Sequence, residues 1–230
     1  MRNIKLTKRL QVCADFVTEG ARIADIGTDH AYIPIWLTQM GKTSHALACD
    51  VNPEPLKIAE NNIKKHSLES VIPTRISDGL KNVSQDEADE IIIAGMGGEL
   101  IVRILSECAW KNKKEKNFIL QPMTSEYELR LFLSNNGYKI QEETAVVCSG
   151  KVYTIMLVSY TGKTNKLDGT HLYIGKLDEN INEAAVLYIR KQINGLKNQK
   201  KGAEIRGLAQ KTIFYDKIIN DLEKILKKEQ

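Results

Sequence analysis

Residues 22–34 constrain the fold more than any other stretch, because they join a buried strand, a glycine turn and the start of a helix. Residues 22–26 alternate and are apolar enough for a buried strand. Gly27 ends this strand, and a helix begins near Ala31, with Pro34 tolerated in its first turn. In α/β chains, a strand, a glycine turn and a helix in this order form the place where doubly wound folds bind a nucleotide-like cofactor.

The charge of this turn distinguishes between two kinds of cofactor. A dinucleotide-binding turn carries three glycines, whereas this chain has only Gly27, with Asp29 and Ala31 at the positions of the other two. At low effective dielectric, Asp25 and Asp29 would repel the pyrophosphate of NAD. They would attract the sulfonium and ammonium groups of S-adenosylmethionine. The turn therefore favours S-adenosylmethionine, with the alternative that Asp29 merely caps the following helix.

Size and composition indicate a globular protein with one main domain and an appendage. A chain of 230 residues suits a domain of about 150 residues plus a smaller unit. We predict a cofactor-binding domain over residues 1–162 and a helical unit over residues 163–230. No apolar run approaches the ~18 residues that span a membrane, and the basic N-terminus lacks the apolar segment of a signal peptide. Widely spaced cysteines predict reduced thiols in the cytoplasm, with no zinc site or other metal: Cys13, Cys49, Cys108 and Cys148.

The order of strands and helices predicts a doubly wound α/β sheet. Strand and helix patterns alternate five times, and residues 91–93 form an isoleucine run typical of a parallel strand buried on both faces. Two further strands then follow without a helix between them, which predicts a β-hairpin. The fold class is thus a Rossmann-like sheet, mostly parallel with the last strand antiparallel, as in class I methyltransferases. The predicted strands are 22–26, 45–49, 71–76, 88–94, 117–121, 138–147 and 151–160, and the predicted helices include 5–17, 53–65, 99–108 and 125–134.

The C-terminal part predicts a helical hairpin that packs on itself as a coiled coil does. Residues 161–180 are polar and irregular, and we interpret them as a linker. Apolar residues then recur at steps of three and four, with an interruption at residues 198–202 that predicts the turn. The pattern fits a folded-back monomer or a homodimer. The apolar steps fall at Val186, Ile189, Ile193, Leu196, Ile205, Leu208, Thr212, Tyr215, Ile219, Leu222 and Leu226.

Positive charge is concentrated in this same hairpin. Residues 181–230 hold 11 Lys and Arg against 6 Asp and Glu, whereas the whole chain has a net charge of +4. The rest of the chain is therefore almost neutral. Such an asymmetry indicates a polyanionic partner, and a merely solvated, lysine-rich helical face is the alternative.

Acidic and small residues follow the first four strands, at the edge where ligands of open α/β sheets bind. Asp50 follows the second strand and is placed to accept hydrogen bonds from two ribose hydroxyls. Asp78 would accept from an adenine amino group, and the bare backbone of residues 94–96 would line the cofactor. Each of these is also an ordinary turn or cap residue when taken alone. The predicted cofactor-binding residues are Gly27, Asp29, His30, Asp50, Asn52, Ser77, Asp78, Gly79, Ala94, Gly95 and Met96.

Five short segments carry a family resemblance. They are Thr7-Lys8-Arg9-Leu10, Asp25-Ile-Gly-Thr-Asp-His-Ala-Tyr-Ile-Pro34, Ser77-Asp78-Gly79, Ala94-Gly-Met-Gly-Gly98 and Gln121-Pro122. Together they resemble the bacterial tRNA (adenine-22-N1)-methyltransferases over the whole predicted sheet domain, and the helical hairpin fits that family's architecture. The resemblance implies an enzyme that uses S-adenosylmethionine to methylate N1 of an adenine in the D-arm region of tRNA.

The expected chemistry agrees with the residues after the fourth strand. Adenine N1 has an in-plane lone pair that attacks a sulfonium methyl directly, whereas methylation of the amino group usually needs an Asn- or Asp-Pro-Pro-aromatic clamp. This chain has the glycine-rich residues 95–98 there instead. Methylation leaves a cationic adenine, so a nearby carboxylate would stabilise the transition state, and Asp29 is the predicted catalytic residue by position and by resemblance.

The same resemblance places a base pocket beside Asp29. His30 and Tyr32 would position or stack on the base, and Gly97 and Gly98 would leave room for a base extruded from the RNA. The alternative for His30 is a buried histidine at the start of a helix.

A tRNA partner requires cations that contact phosphates. Two predicted RNA-binding residues lie near the pocket and seven lie at the hairpin tip. Three other functions stay open: a small-molecule methyltransferase, an NAD(P)-dependent Rossmann oxidoreductase and a non-enzymatic RNA-binding module. The basic appendage disfavours a small-molecule methyltransferase, and the acidic turn disfavours an oxidoreductase. The acidic strand ends disfavour a non-enzymatic module. The predicted RNA-binding residues are Lys8 and Arg9, then Arg190, Lys191, Lys197, Lys200, Lys201, Arg206 and Lys211.

Overall fold

The computed structural model describes residues 4–110 and 113–227. Within them the chain forms one sheet of seven strands and eight α-helices. The strands are β1 (Ile23–Ile26), β2 (Ala46–Asp50), β3 (Thr74–Ile76), β4 (Glu90–Met96), β5 (Asn117–Pro122), β6 (Tyr138–Cys148) and β7 (Lys151–Tyr160). The helices are α1 (Lys8–Asp15), α2 (Tyr32–Gln39), α3 (Pro53–Lys65), α4 (Gly98–Ser106), α5 (Glu126–Asn135), α6 (Gly169–Ile174), α7 (Glu183–Ile205) and α8 (Ala209–Lys227).

The sheet confirms the predicted fold class. Its strand order is β3-β2-β1-β4-β5-β7-β6. Strands β1 to β5 pair in parallel, and β7 runs antiparallel to both β5 and β6. The order reverses at β1, which lies between β2 and β4. At such a switch point the loops leave the sheet in opposite directions and open a crevice beyond the carboxyl ends of the strands.

The core lies on both faces of the sheet, as the isoleucine run predicted. Ile91 and Ile93 pack in one apolar cluster, and Ile92 packs in the cluster on the other face. All three are fully buried. Strand β3 is shorter than predicted and begins at Thr74. The Val71 and Pro73 carbonyls already accept from the Ala46 and Ala48 amides of β2, but Pro73 has no N–H to donate to the ladder.

The segment after the sheet is less irregular than the sequence predicted. Residues 161–180 contain helix α6, whose first turn is capped by Asp168 accepting a hydrogen bond from the His171 amide at 2.9 Å. Interpreting the whole segment as a linker was therefore wrong. A short polar segment with an Asp cap gives too weak a periodic signal to be recognised as a helix.

The turn of the hairpin is also later than predicted. The interruption at residues 198–202 does not end α7, which continues to Ile205. Lys and Gln are good helix formers, and Gly202 costs only about 1 kcal/mol in a helix. The next residue, Ala203, is buried. The turn falls at residues 206–208, where Gly207 has φ +67°, the left-handed conformation that ends helices.

Helices α7 and α8 form the predicted antiparallel hairpin within one chain. Ile189, Ile193 and Leu196 of α7 pack against the buried isoleucines and leucine of α8. Ile205 lies beyond this seam and is 79% exposed. Within the described residues, no helix has the length and apolar character required to cross a membrane.

A buried ion pair joins the hairpin to the sheet. The Arg130 guanidinium of α5 bonds to Glu143 of β6 at 2.6 Å, and both side chains are fully buried. Arg130 also donates to the Tyr173 carbonyl of α6 at 2.9 Å and lies within 3.4 Å of the Tyr188 hydroxyl of α7. Three elements from the C-terminal half of the chain thus meet at one guanidinium. The division into domains at residues 162 and 163 stays a prediction.

Candidate active site

The glycine turn after β1 lies at the centre of the crevice. Gly27 has φ +80°, and its amide and that of Thr28 donate to the Cys49 carbonyl at 2.8 and 2.9 Å. A Cβ at position 27 would overlap the side chain of Met96. Glycine is therefore required both by the backbone and by the approach of β4. Two adjoining hollows share Gly27 as a common wall.

The structure gathers most of the predicted cofactor-binding residues around these two hollows. The first hollow contains the acidic turn and the start of α2, and the second contains the ends of β2 and β3. Asn52, His30 and Gly95 line neither hollow, although each neighbours a residue that does. Predicted residues in the first are Gly27, Asp29, Tyr32 and Ala94, and those in the second are Gly27, Asp50, Ser77, Asp78, Gly79 and Met96.

Asp29 does not cap the following helix, so that alternative is wrong. The N-cap of α2 is Ala31, which has φ 55° and no side-chain capping bond, and the Thr28 hydroxyl accepts from the Ala31 amide at 3.1 Å. The Asp29 side chain is 73% exposed, with the His30 imidazole 3.6 Å away. Its carboxylate is therefore available to a ligand in the first hollow.

Asp25 is a second carboxylate of this hollow. The sequence analysis counted it in the acidic turn that favours a cationic cofactor, but not among the predicted cofactor-binding residues. It is buried at the end of β1. Burial raises the pKa of Asp25 to about 7, and the nearby Asp29 and Asp50 carboxylates add to the rise, against a hydrogen bond from Thr28. A cation in the hollow would reverse this effect, because an opposite charge favours the ionised carboxylate.

Cofactor affinity is expected to depend on pH through Asp25. Because the raised pKa leaves the carboxyl largely protonated at pH 6 and ionised at pH 8, a ligand carrying an ammonium group should bind roughly tenfold more tightly at pH 8. The raised pKa of Asp25 has the opposite effect on the stability of the free protein. The free energy of unfolding falls as the pH rises from about 4 to 7, because Asp25 ionises in the unfolded chain before it ionises in the folded one. Titration calorimetry with S-adenosylhomocysteine at both pH values measures the effect. Asp25→Asn should bind equally at both, and an unchanged pH dependence in this variant would exclude Asp25 as its source.

In the second hollow, one carboxylate oxygen of Asp50 accepts a hydrogen bond from the protein and the other is free to bind a ligand. Its Oδ1 accepts from the Asn52 amide at 2.7 Å, which leaves Oδ2 for ribose hydroxyls. Ser77 is buried and its hydroxyl donates to the Gly79 carbonyl at 2.8 Å, so this side chain supports the turn. Gly79 has φ +60°, and a Cβ there would lie 2.9 Å from Ile104.

Asp78 has more partners than the sequence predicted. Arg103 of α4 holds both its oxygens, at 2.7 and 3.1 Å, and Lys81 binds one of them at 2.7 Å. The hydrogen bonds from Arg103 and Lys81 hold the pKa of Asp78 well below its usual range. Glu107 also pairs with Lys81 at 3.1 Å and with Arg103 at 3.5 Å, so two carboxylates balance two cations at this wall. Acceptance from an adenine amino group by Asp78 stays a prediction.

The glycines after β4 also have a packing reason, which the sequence analysis did not give. A Cβ on Gly98 would overlap the Ser125 carbonyl, and one on Gly97 would lie 3.3 Å from the Thr124 hydroxyl. The absence of these side chains lets the start of α4 pack against the loop before α5. That Gly97 and Gly98 leave room for an extruded base stays a prediction.

Gln121 is a site residue for which the sequence prediction gave no role. It is fully buried at the end of β5, and its carbonyl oxygen accepts from the Gly95 amide at 3.1 Å and from the Arg9 guanidinium. Arg9 in turn lies over the Tyr153 ring, 5.9 Å from its centroid. The signal was available, because Gln121 ends the fifth strand just as the acidic residues end the first three.

His30 and Tyr32 lie together beside the first hollow. Their rings stack 4.8 Å apart with an interplanar angle of 12°. The His30 side chain is 37% exposed, so the alternative of a buried histidine is wrong. Tyr32 is 39% exposed. The pair presents a flat surface next to the Asp29 carboxylate, as a base-stacking role requires.

The predicted RNA-binding cations do not form one cluster at the hairpin tip. Lys197 pairs with Glu223 at 2.8 Å and Lys200 with Asp216 at 2.6 Å, so both hold α7 to α8. Arg206 donates to the Gly202 carbonyl. Lys191 lies over the Tyr188 ring, at the base of the hairpin. Seven of the nine predicted cations have no carboxylate partner within the described residues. Four of these seven also make no side-chain hydrogen bond or ring contact there: Lys8, Arg190, Lys201 and Lys211.

Sequence comparison identifies the domain that contains the crevice. A family model described as a methyltransferase domain matches residues 6–156. The tRNA (adenine(22)-N(1))-methyltransferase of Bacillus subtilis (strain 168) is 36% identical over 177 residues, which cover 77% of this chain and 74% of that protein. The match therefore extends beyond the sheet into the C-terminal part of the chain.

Solved structures agree over nearly the full length. The crystal structure of the B. subtilis M1A22 tRNA methyltransferase TrmK has a TM-score of 0.85 at 27% identity, over 97% of this chain and 99% of that one. M. capricolum TrmK, solved in complex with S-adenosyl-homocysteine, has a TM-score of 0.75 at 31% identity, over 96% of each chain. The sequence match to the B. subtilis enzyme and the agreement with these structures show that this chain belongs to the tRNA (adenine(22)-N(1))-methyltransferase family.

Proposed function

We propose that this protein transfers the methyl group of S-adenosylmethionine to N1 of adenine 22 in tRNA. The observation that carries the proposal is the arrangement of three carboxylates around Gly27. Asp25 and Asp29 line one hollow and Asp50 lines the other. Such a crevice suits a ligand with positive charge at one end and ribose hydroxyls at the other, and it disfavours a pyrophosphate. The position in tRNA follows the name of the B. subtilis relative.

The residues fit the cofactor in chemical terms. S-adenosylmethionine supplies a methyl group bonded to a positively charged sulfur. Asp25, buried beside the first hollow, would face the ammonium group, and the free oxygen of Asp50 would accept from the ribose. Gly27, which separates the two hollows, lets the backbone approach the middle of the ligand. No metal is needed for this transfer.

Asp29 is the residue proposed to act in the chemical step. Adenine N1 carries no proton, so the chain need not supply a general base. Positive charge develops on the ring as the methyl group is transferred, and a carboxylate close to the ring stabilises that charge. The stacked rings of His30 and Tyr32 would hold the base in plane. The buried Gln121 amide and Arg9 would fix the loop at Gly95 on the opposite side.

The free lysines and arginine are proposed to contact tRNA phosphates. The variant Arg190→Ala/Lys201→Ala/Lys211→Ala should bind tRNA more weakly and lower the slope of log K against log salt by about one per residue. Filter binding at several salt concentrations measures this. The matched control is Lys64→Ala/Lys65→Ala at the end of α3, at the opposite edge of the sheet. Equal slopes for both variants would remove the hairpin from the RNA interface.

Deleting the hairpin is a poorer test of the same proposal. Removal of residues 165–230 would strip Tyr188 and the α6 carbonyls from the buried Arg130. A loss of binding would then reflect unfolding as well as a lost RNA contact. Substitutions of individual side chains, as in Arg190→Ala/Lys201→Ala/Lys211→Ala, leave the contacts of Arg130 in place.

Nucleoside mass spectrometry tests the proposed reaction directly. Unmodified tRNA is incubated with the protein and S-adenosylmethionine, digested, and analysed for 1-methyladenosine. We expect one 1-methyladenosine per tRNA, and none when adenine 22 is replaced by guanine. Methylation of the amino group, or of the substituted tRNA, would contradict the proposal. We also propose that the protein acts in the cytoplasm, as a tRNA substrate suits.

A further inference from the structure

A second cleft lies between the sheet domain and the helical hairpin. It has a volume of about 680 Å³. One wall is the first turn of α5, and the other is formed by α6 and the facing sides of α7 and α8. The hairpin lines the cleft with residues between 192 and 199 of α7 and between 210 and 215 of α8. This cleft shares no lining residue with the two hollows around Gly27.

The cleft adjoins the loop after β4. Ser125 lines the cleft, and its carbonyl is the atom that a Cβ on Gly98 would overlap. The adjacent Thr124 carbonyl accepts from the Gly98 amide at 2.8 Å. Met96, two residues before Gly98, lines the second hollow. The loop after β4 therefore connects the candidate active site to the cleft.

The cleft is lined by aromatic rings. Tyr127 of α5 and Tyr173 of α6 lie 4.8 Å apart, one on each wall, and Phe214 and Tyr215 of α8 lie 5.7 Å apart. Phe214 is 41% exposed, and no apolar cluster of the described residues includes it. Partly exposed rings on both walls of a cleft are the arrangement on which single-stranded nucleic acids stack their bases.

Polar groups in the cleft are free to pair with a ligand. The amides of Gln192, Gln199 and Gln210 line it, and their side chains make no hydrogen bond to the rest of residues 4–110 and 113–227. Gln192 is half-buried, and its amide is available to a ligand in the cleft. An amide offers both a donor and an acceptor, as the edge of a nucleobase does.

The charges of the cleft distinguish a base from a phosphate. Glu126 and Glu128 lie at the wall formed by α5, and they would repel a phosphate at that wall. Carboxylates accept readily from the amino groups of bases. Lys211 lies on the opposite wall, on α8, without a carboxylate partner in the described chain, and it is placed to contact the RNA backbone at the rim.

We infer that this cleft binds the nucleobase that directly neighbours the target adenine, which is unstacked from the RNA together with it. This inference rests on the proposed function. It gives the hairpin a second role besides phosphate contact: one wall of the cleft belongs to the catalytic domain and the other to the hairpin, so the base is held only where both are present. The neighbouring base then helps to position the adenine beside Asp29.

The test uses the full-length protein and a variant of one exposed ring. Phe214→Ala should lower kcat/KM for tRNA by roughly tenfold, in the range that one base–aromatic stack contributes, with no change in affinity for S-adenosylhomocysteine. Phe214→Leu keeps apolar bulk and should lie between Phe214→Ala and wild type. The matched control is Ile213→Ala, which removes a neighbouring side chain that is 70% exposed and lies outside the cleft. It should retain wild-type kcat/KM. Melting temperatures establish that all variants fold.

Two synthetic tRNAs complete a thermodynamic cycle. Each carries one abasic nucleotide, on the 5′ or the 3′ side of the target adenine. Wild type should lose about tenfold in kcat/KM on one of them, and Phe214→Ala should lose nothing further on that tRNA. Losses that simply multiply on both abasic tRNAs, or a Phe214→Ala variant with wild-type kcat/KM on intact tRNA, would overturn the inference. Wild-type methylation of intact tRNA in the same assay reports separately on the proposed function.

Discussion

Replacing Asp29 by alanine is expected to abolish most turnover while leaving the fold intact. The carboxylate is 73% exposed and its neighbour within ion-pair distance is His30, so its removal breaks no buried contact. Loss of a group that stabilises developing charge typically lowers kcat by about 10²- to 10³-fold. Affinity for the cofactor should weaken only modestly, because Asp25 and Asp50 remain. Methylation of tRNA under single-turnover conditions, with calorimetry for S-adenosylhomocysteine, separates the two effects.

Two further variants make this prediction specific. Asp29→Asn keeps the shape of the side chain and removes its charge, and it should lose nearly as much turnover as Asp29→Ala. Glu69→Gln removes an exposed carboxylate at the opposite edge of the sheet and should act as wild type. If purified Asp29→Ala methylates tRNA at the native rate, the catalytic role proposed for this residue is wrong.

Breaking the buried ion pair is expected to have the largest effect on stability. Glu143→Leu leaves the Arg130 guanidinium buried without its carboxylate, and Glu143 also accepts from the Lys176 amide at 3.2 Å. Removing one partner of a buried pair costs about 3–5 kcal/mol. For a chain of this length, that corresponds to a fall in Tm on the order of 10 °C. Differential scanning calorimetry of the variant measures it.

The double variant tests whether the two buried charges are coupled. Arg130→Leu/Glu143→Leu removes both charges, so neither is left unpaired, and it should be more stable than either single variant. Glu223→Ala is the matched control, because it breaks the exposed ion pair to Lys197, which is worth at most about 1 kcal/mol. Additive losses in the double variant would contradict a coupled, buried pair.

The sequence predicted those features that depend on neighbouring residues. The strand, Gly27 and the start of α2 form one continuous signal, and the apolar steps of α7 and α8 repeat along each helix. Asp29 and Asp50 were found because strand ends in a parallel sheet meet at one edge. Each of these patterns can be recognised without knowing which distant segments touch.

Features that depend on distant contacts were missed or misread. A glycine is required at position 98 because the Ser125 carbonyl lies where a side chain would be. Arg130 can be buried because Glu143 and Tyr188 bind it. No local sequence pattern relates these positions. A buried arginine also runs against the usual preference of that residue for the surface. The hairpin turn was placed too early because a polar stretch can still be helical when one of its neighbours, here Ala203, is buried.

The most direct test of the account is a crystal structure of the protein with S-adenosylhomocysteine. We expect the ribose hydroxyls on Asp50, the ammonium group beside Asp25, and the sulfur near Gly27 with its open side towards Asp29. A ligand bound outside the two hollows, or one whose sulfur faces away from Asp29, would contradict the proposal that this acidic crevice holds the methyl donor beside the target adenine.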